Sequence, residues 1–184
     1  MLNDEQLHTW FQSEQVLSGT GHRPQKLGRE FDLEGPYSNF ITQELEKYFD
    51  LLQPTKIISG MALGYDQLLA LFALEKKIPV LAAVPCDNQE KLWPRKSQDR
   101  YHQILANRLV TTYVVCPGPY NPGTMQVRNE WMCDHSNLLL ACWDGSSGGT
   151  ANCIKYARKI NMDIIYINLQ ELTEKKNFQN PLFE

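Results

Sequence analysis

Three times along this 184-residue chain a short apolar run of strand composition ends in a glycine-marked turn and opens into a helical pattern. Residues 15–19 run into Thr20-Gly-His-Arg-Pro24, residues 55–59 into Gly60-Met-Ala-Leu-Gly64, and residues 137–143 into Asp144-Gly-Ser-Ser-Gly-Gly-Thr150. Further strand-like runs lie at 78–84, 111–116 and 163–169, with helical patterns at 37–52, 65–77, 88–109, near 125–134 and from 151 onward. Pro54 ends the first helix, and Pro94 interrupts the third because proline disfavours helix in the residue before it. Strands alternating with helices define a parallel sheet covered on both faces. The expected fold is therefore α/β: a Rossmann-like open, mainly parallel sheet with helices on both faces. Ligands of such sheets bind beyond the carboxyl ends of the strands, near the switch point in strand order. The three glycine turns should then open on one edge and converge on one crevice.

Composition narrows the function classes. Hydrophobic residues make up 42% and charged residues 21%, which fits a soluble domain with a sizeable core. The expected organisation is a helical extension at 1–14, the Rossmann-like domain at 15–169 and a polar tail at 170–184. A net charge of −3 argues against non-specific nucleic-acid binding, which needs concentrated Lys and Arg, and no nucleic-acid partner is expected. Lys91, Arg95, Lys96 and Arg100 form either a local basic patch or a solvated helix face. Five cysteines, Cys86, Cys116, Cys133, Cys142 and Cys153, include no CxxC pair, and the histidines have no zinc-like spacing, so no metal site is expected. Reduced thiols, the absence of a signal-like start and the lack of a long apolar run lead to the expectation of a cytoplasmic protein without a membrane partner.

None of the three turns is a standard signature. Gly19-Thr-Gly21 lacks a third glycine, and residues 145–150 carry no P-loop lysine. A glycine loop that opens a helix still presents unpaired backbone N–H groups to an anion. One helix start contributes about 0.3–1 kcal/mol, up to about 2 when partly buried. Micromolar affinity needs roughly 8 kcal/mol. Several loops must therefore cooperate. The candidate ligand-binding residues are Gly19, Thr20, Gly21, His22 and Arg23 from the first turn, and Ser59, Gly60 and Asp66 from the second. Arg128 and Asn129 join them from the helix before the third turn, and Asp144, Gly145, Gly148, Gly149 and Thr150 from that turn itself. Arginine suits bidentate phosphate recognition. Asp66 could simply complement a helix dipole, or bind a ribose hydroxyl or steer a water. Trp93, Tyr101 and Tyr120 could stack on a base or serve only as packing.

Taken together, Gly21-His-Arg-Pro24, residues 59–66 (SGMALGYD) and Arg128-Asn129…Met132…Gly148-Gly-Thr150 resemble the YpsA-like (DUF1273) branch of the SLOG superfamily. That superfamily includes the LOG proteins and the DprA Rossmann domain. The resemblance spans about residues 15–169 and implies a Rossmann-like sheet with a nucleotide or nucleotide-derived ligand. LOG enzymes cleave the N-glycosidic bond of nucleoside monophosphates and carry a motif of the type MHxRK…PGGxGTxxE. Met125 and Arg128 match it, Asn129 replaces its lysine, and Cys153 stands where its catalytic glutamate would be. Water activation and oxocarbenium stabilisation are work for a carboxylate, and a neutral thiol is a poor replacement. The expectation is thus a binding protein or sensor for a nucleotide-like small molecule, without a cofactor. One alternative is an N-glycosidase in which Asp66 or Glu130 supplies the carboxylate; another is a ligand-gated protein scaffold. LOG relatives are often dimers, so the resemblance also implies a homo-oligomer.

Overall fold

The sheet is built from strands whose apolar residues run almost without interruption, as expected of parallel strands covered on both faces. In the computed structural model, which describes residues 15–27, 33 and 35–170, six strands form one sheet: β1 (Val16–Gly21), β2 (Lys56–Ser59), β3 (Val80–Val84), β4 (Val110–Val114), β5 (Leu138–Trp143) and β6 (Asp163–Asn168). The order is β4-β3-β2-β1-β5-β6, and every pair is parallel. The expected extension at 1–14 and all but the first residue of the expected tail lie outside the described residues.

Among the described residues, five α-helices connect the strands: α1 (Pro36–Leu52), α2 (Tyr65–Glu75), α3 (Arg95–Leu105), α4 (Thr124–Asp134) and α5 (Gly149–Lys159). Side-chain alternation along the strands assigns their faces. Leu17, Ile57, Val80, Ala82, Leu140 and Cys142 pack with Phe40, Ile41, Leu45, Leu69, Phe72 and Ile104 of α1 to α3. Their neighbours Val16, Ile58, Leu81 and Ala83 pack with Met132 of α4, while Leu139 and Ala141 meet Cys133 of α4 and Cys153, Ile154 and Ala157 of α5. Strand order reverses between β1 and β5, so their carboxyl ends form the crevice of a doubly wound sheet.

Two local expectations shift. The helix expected at 88–109 begins only at Arg95, with Pro94 as its N-cap. Residues 88–93 form turns instead, closed by Lys91 N–H to Asn88 O at 3.1 Å and Trp93 N–H to Glu90 O at 2.8 Å. The constraint that proline imposes on the preceding residue stops the helix there instead of merely kinking it. Part of the stretch taken as loop after the first turn is a single 3₁₀ turn, Pro24–Lys26, initiated by proline at its first position.

Candidate nucleotide-phosphate crevice

The first and second turns are docked on one another. Gly64 adopts φ +95°, and a Cβ there would meet His22 O at 2.6 Å, so a side chain is excluded both by conformation and by space. The next amide, Tyr65 N–H, donates to that same carbonyl at 3.3 Å. Ser59 Oγ donates to Asp66 O at 2.7 Å and accepts from Met61 N–H at 3.2 Å, which pins the ends of the second turn together. Gly19 and Gly21 serve packing: their Cβ atoms would strike Leu69 Cδ2 at 2.2 Å and the Tyr65 ring at 2.4 Å. These glycines let α2 approach β1 closely.

The third turn is tied to the first through His22 and Asp144. The His22 ring, 4% exposed, places Nε2 at 2.7 Å from Asp144 Oδ1. Burial lowers the His22 pKa against the pull of Asp144. Partial burial would raise Asp144, but hydrogen bonds from the Ser146 hydroxyl and N–H, at 2.5 and 2.8 Å, and the His22 contact overcome it and hold the carboxyl at about 2. Lys26, from the 3₁₀ turn, reaches across to the Ser146 hydroxyl and to Ser147 O at 3.0 Å.

Between these turns lies a crevice of about 300 Å³. The structure brings Thr20, Gly21, His22, Arg23, Asp66, Arg128, Asn129, Gly148, Gly149 and Thr150 to its lining. Gly19, Ser59, Gly60, Asp144 and Gly145 are not among its lining residues: Gly19, Ser59 and Gly60 are buried in the first two turns, and Asp144 and Gly145 belong to the more exposed third turn. Glu130 is elsewhere: it accepts from Gln126 Nε2 at 2.9 Å and borders a separate depression with Lys155 and Tyr156. Met125, Gln25, Lys26, Ala62 and Ser147 complete the crevice. Of these, Lys26 is a cation that the sequence reading passed over. Its spacing of three from Arg23 within a proline-initiated turn was the available signal. Met125 was legible only as part of the motif, although its spacing of three and four from Arg128 and Asn129 puts it on their helix face.

Arg128 is the centre of the charge distribution. It is 5% exposed, and its Nε and Nη1 atoms are buried without a hydrogen-bond partner. Nη1 is 3.6 Å from Asp66 Oδ2, which accepts from Ala62 N–H at 3.3 Å. Burial lowers the Arg128 pKa and raises that of Asp66, and each partly offsets the shift of the other. Room for the guanidinium comes from Gly60, where a Cβ would fall 1.4 Å from Nη1. On the same crevice, α5 begins at Gly149 after the N-cap Gly148 (φ +143°), with no side-chain cap and no acidic residue in its first turn. That start presents free N–H groups and the positive end of the helix dipole.

Cys153 lies behind the crevice on α5, 1% exposed, with its sulfur 3.8 Å from that of Cys133. The Cys133 hydrogen bond draws the Cys153 pKa down against burial, with help from Thr20 and Arg128, while Cys133 is pushed up. Among the described residues, no group of three or more His, Cys, Asp or Glu side chains could hold a metal, and no helix is long and apolar enough to cross a membrane.

An open parallel sheet with glycine turns converging at its switch point defines a doubly wound, Rossmann-like protein. The chain belongs to the DNA recombination-mediator protein A family, whose model matches residues 36–182. Among curated relatives, it is 37% identical over an aligned stretch of 119 residues to YoqJ, an SPbeta prophage-derived protein of Bacillus subtilis (strain 168), covering 56% of this chain and 70% of that one. Two solved structures share the fold. DNA processing protein A from Helicobacter pylori, described in its single-stranded DNA binding mode, has a TM-score of 0.61 at 22% identity, over 91% of this chain and 75% of that one. DprA from Streptococcus pneumoniae has a TM-score of 0.57 at 17% identity, over 90% and 56%. The resemblance to the SLOG superfamily through DprA is thus shown.

The expectation of no nucleic-acid partner is corrected by the same findings, since family and neighbour are associated with DNA. The inference from net charge failed for a physical reason. A sum of −3 over 184 residues does not describe the local field. Arg23, Lys26 and Arg128 border one crevice in which Asp66 is the acidic side chain.

Proposed function

We propose that this chain binds a nucleotide or nucleotide-derived ligand, with a phosphate held between the start of α5 and Arg128. The observation that carries the reading is the state of Arg128. A guanidinium buried with two nitrogens that make no hydrogen bond is costly. A phosphate in the crevice would add the counter-charge that Asp66, at 3.6 Å, supplies only in part. Gly148, Gly149 and Thr150 would add backbone donors, and Arg23 and Lys26 would close the mouth. Calorimetry with a panel of nucleoside monophosphates tests this. Arg128→Ala should weaken binding at least about tenfold while circular dichroism stays unchanged. Equal affinity in the two proteins would remove Arg128 from the site.

Family membership favours a second ligand, a single strand of DNA, which offers the same phosphate chemistry. Anisotropy of a labelled oligothymidylate over a salt series distinguishes it, because strand affinity falls with salt in proportion to the phosphates neutralised. The glycosidase reading draws only on Asp66, since Glu130 lies outside the crevice and Cys153 is buried behind it. Chromatography for free base after incubation with nucleotides decides that reading.

A further inference from the structure

Beside the phosphate crevice, and sharing Arg23 and Met125 with it, is a second cleft of about 690 Å³. We propose that this cleft is a nucleobase subsite, with Tyr120 as its stacking platform, so that one ligand spans both clefts; the proposal rests on the phosphate reading above. The first observation is where exposed apolar surface falls. Leu92, 94% exposed, and Tyr120, 60% exposed, both border this concavity. Large apolar side chains held in water beside a polar crevice are the usual lining of a site for a flat, largely apolar group.

The second observation is how the walls are held. Asp87 N–H donates to Gly118 O at 2.9 Å, and Gly118 N–H donates to Asp87 Oδ2 at 3.0 Å. This reciprocal clasp fixes the loop that carries Pro119 and Tyr120 against the end of β3. On the other wall, Gln98 Nε2 donates to Trp93 O at 2.8 Å, and the Trp93 ring packs edge-on against Tyr101 at 5.4 Å. Tyr101 is buried and belongs to the core. Of the three aromatic residues that could meet a base, Tyr101 is packing, Trp93 is a fixed wall, and Tyr120 has a free face. Lys91 and Arg23 flank the cleft, which suits a ligand with further phosphate nearby.

The division of labour gives a direct test by calorimetry with ribose 5-phosphate and with nucleoside 5′-monophosphates. The monophosphates should bind about tenfold more tightly than ribose 5-phosphate, the scale of one base–aromatic stack. Tyr120→Ala should abolish that margin and leave ribose 5-phosphate affinity unchanged, whereas Tyr120→Phe should keep it. Arg128→Ala should weaken both ligands. A margin that is absent in the wild-type protein, or that survives Tyr120→Ala, overturns the base subsite while leaving the phosphate site standing. Failure of the wild-type protein to bind either ligand overturns both.

Discussion

Arg128 and Asp66 are joined across a gap of 3.6 Å, too long for a hydrogen bond, in a space that exists because residue 60 has no side chain. Adding one methyl group at Gly60 therefore tests the arginine without touching it. Gly60→Ala should displace the guanidinium and lower phosphate-ligand affinity about as much as Arg128→Ala does. The double variant should be no worse than either single change, since both remove one interaction. Additive losses in calorimetry would mean that Gly60 acts through something other than Arg128.

Asp66 competes with any anion for Arg128. Replacing it with Asn keeps an acceptor for Ala62 N–H and removes the charge. Asp66→Asn should strengthen binding of a phosphate ligand by about fivefold, a Coulombic effect that is large at this depth. A weaker complex would instead identify Asp66 as a group that contacts the ligand, as a ribose-binding or water-steering carboxylate would.

The burial of His22 and the hydrogen bonds to Asp144, from Ser146 first and then His22, should make stability depend on pH in two windows. Burial lowers the folded His22 pKa below 6.5, so the unfolded chain takes up more protons as pH falls from 6.5 towards the folded value, and stability is lost over that range. Asp144 is depressed from 3.8 to about 2, so its contribution is present above about pH 4 and is lost as pH falls towards 2. Urea titrations at a series of pH values should show both declines. Asp144→Asn should remove the lower one, and a profile identical to the wild type would show that the hydrogen bonds to the Asp144 carboxylate contribute nothing.

Lys26 bridges the 3₁₀ turn and the third glycine turn at an exposed position. Exposed polar contacts of this kind add little to folding, so Lys26→Ala should change stability by less than about 0.5 kcal/mol. Ligand affinity should nevertheless fall several-fold, because both a cation and the restraint on residues 146–147 are lost. Comparing thermal midpoint with calorimetric affinity separates the two effects.

The order of strands and helices was legible because buried parallel strands are continuous apolar runs and glycine marks their carboxyl ends. That the three turns meet followed from the sheet alone. The roles of individual residues within them did not. Gly19 and Gly21 look like phosphate-loop glycines but make room for Leu69 and Tyr65, residues more than forty positions further along. Gly60 makes room for Arg128, from another crossover. Asp144 reads as a loop acid, yet its partner is His22, 122 positions earlier. Such pairings depend on which helix covers which strand, and local pattern does not encode that. The start of α3 was misplaced because an amphipathic pattern continues through Pro94 where the backbone cannot.

The position of β1 has a mechanical consequence. Among the described residues, the β2-β3-β4 half of the sheet meets the β5-β6 half through β1, which pairs with β2 on one side and, from Leu17↔Leu138 to Gly21↔Cys142, with β5 on the other. The crevice straddles that seam, with Arg23 and Asp66 on one side and Arg128, Gly148 and Thr150 supplied by the later segments. A ligand held there would act as a strap across the seam. At a hundred times its dissociation constant it would add about 2.7 kcal/mol against separation of the halves. Amide exchange along β1 and β5 would slow with ligand even though the ligand touches only their ends. A chain cut short before β5 would keep the first two turns and have nothing to strap them to.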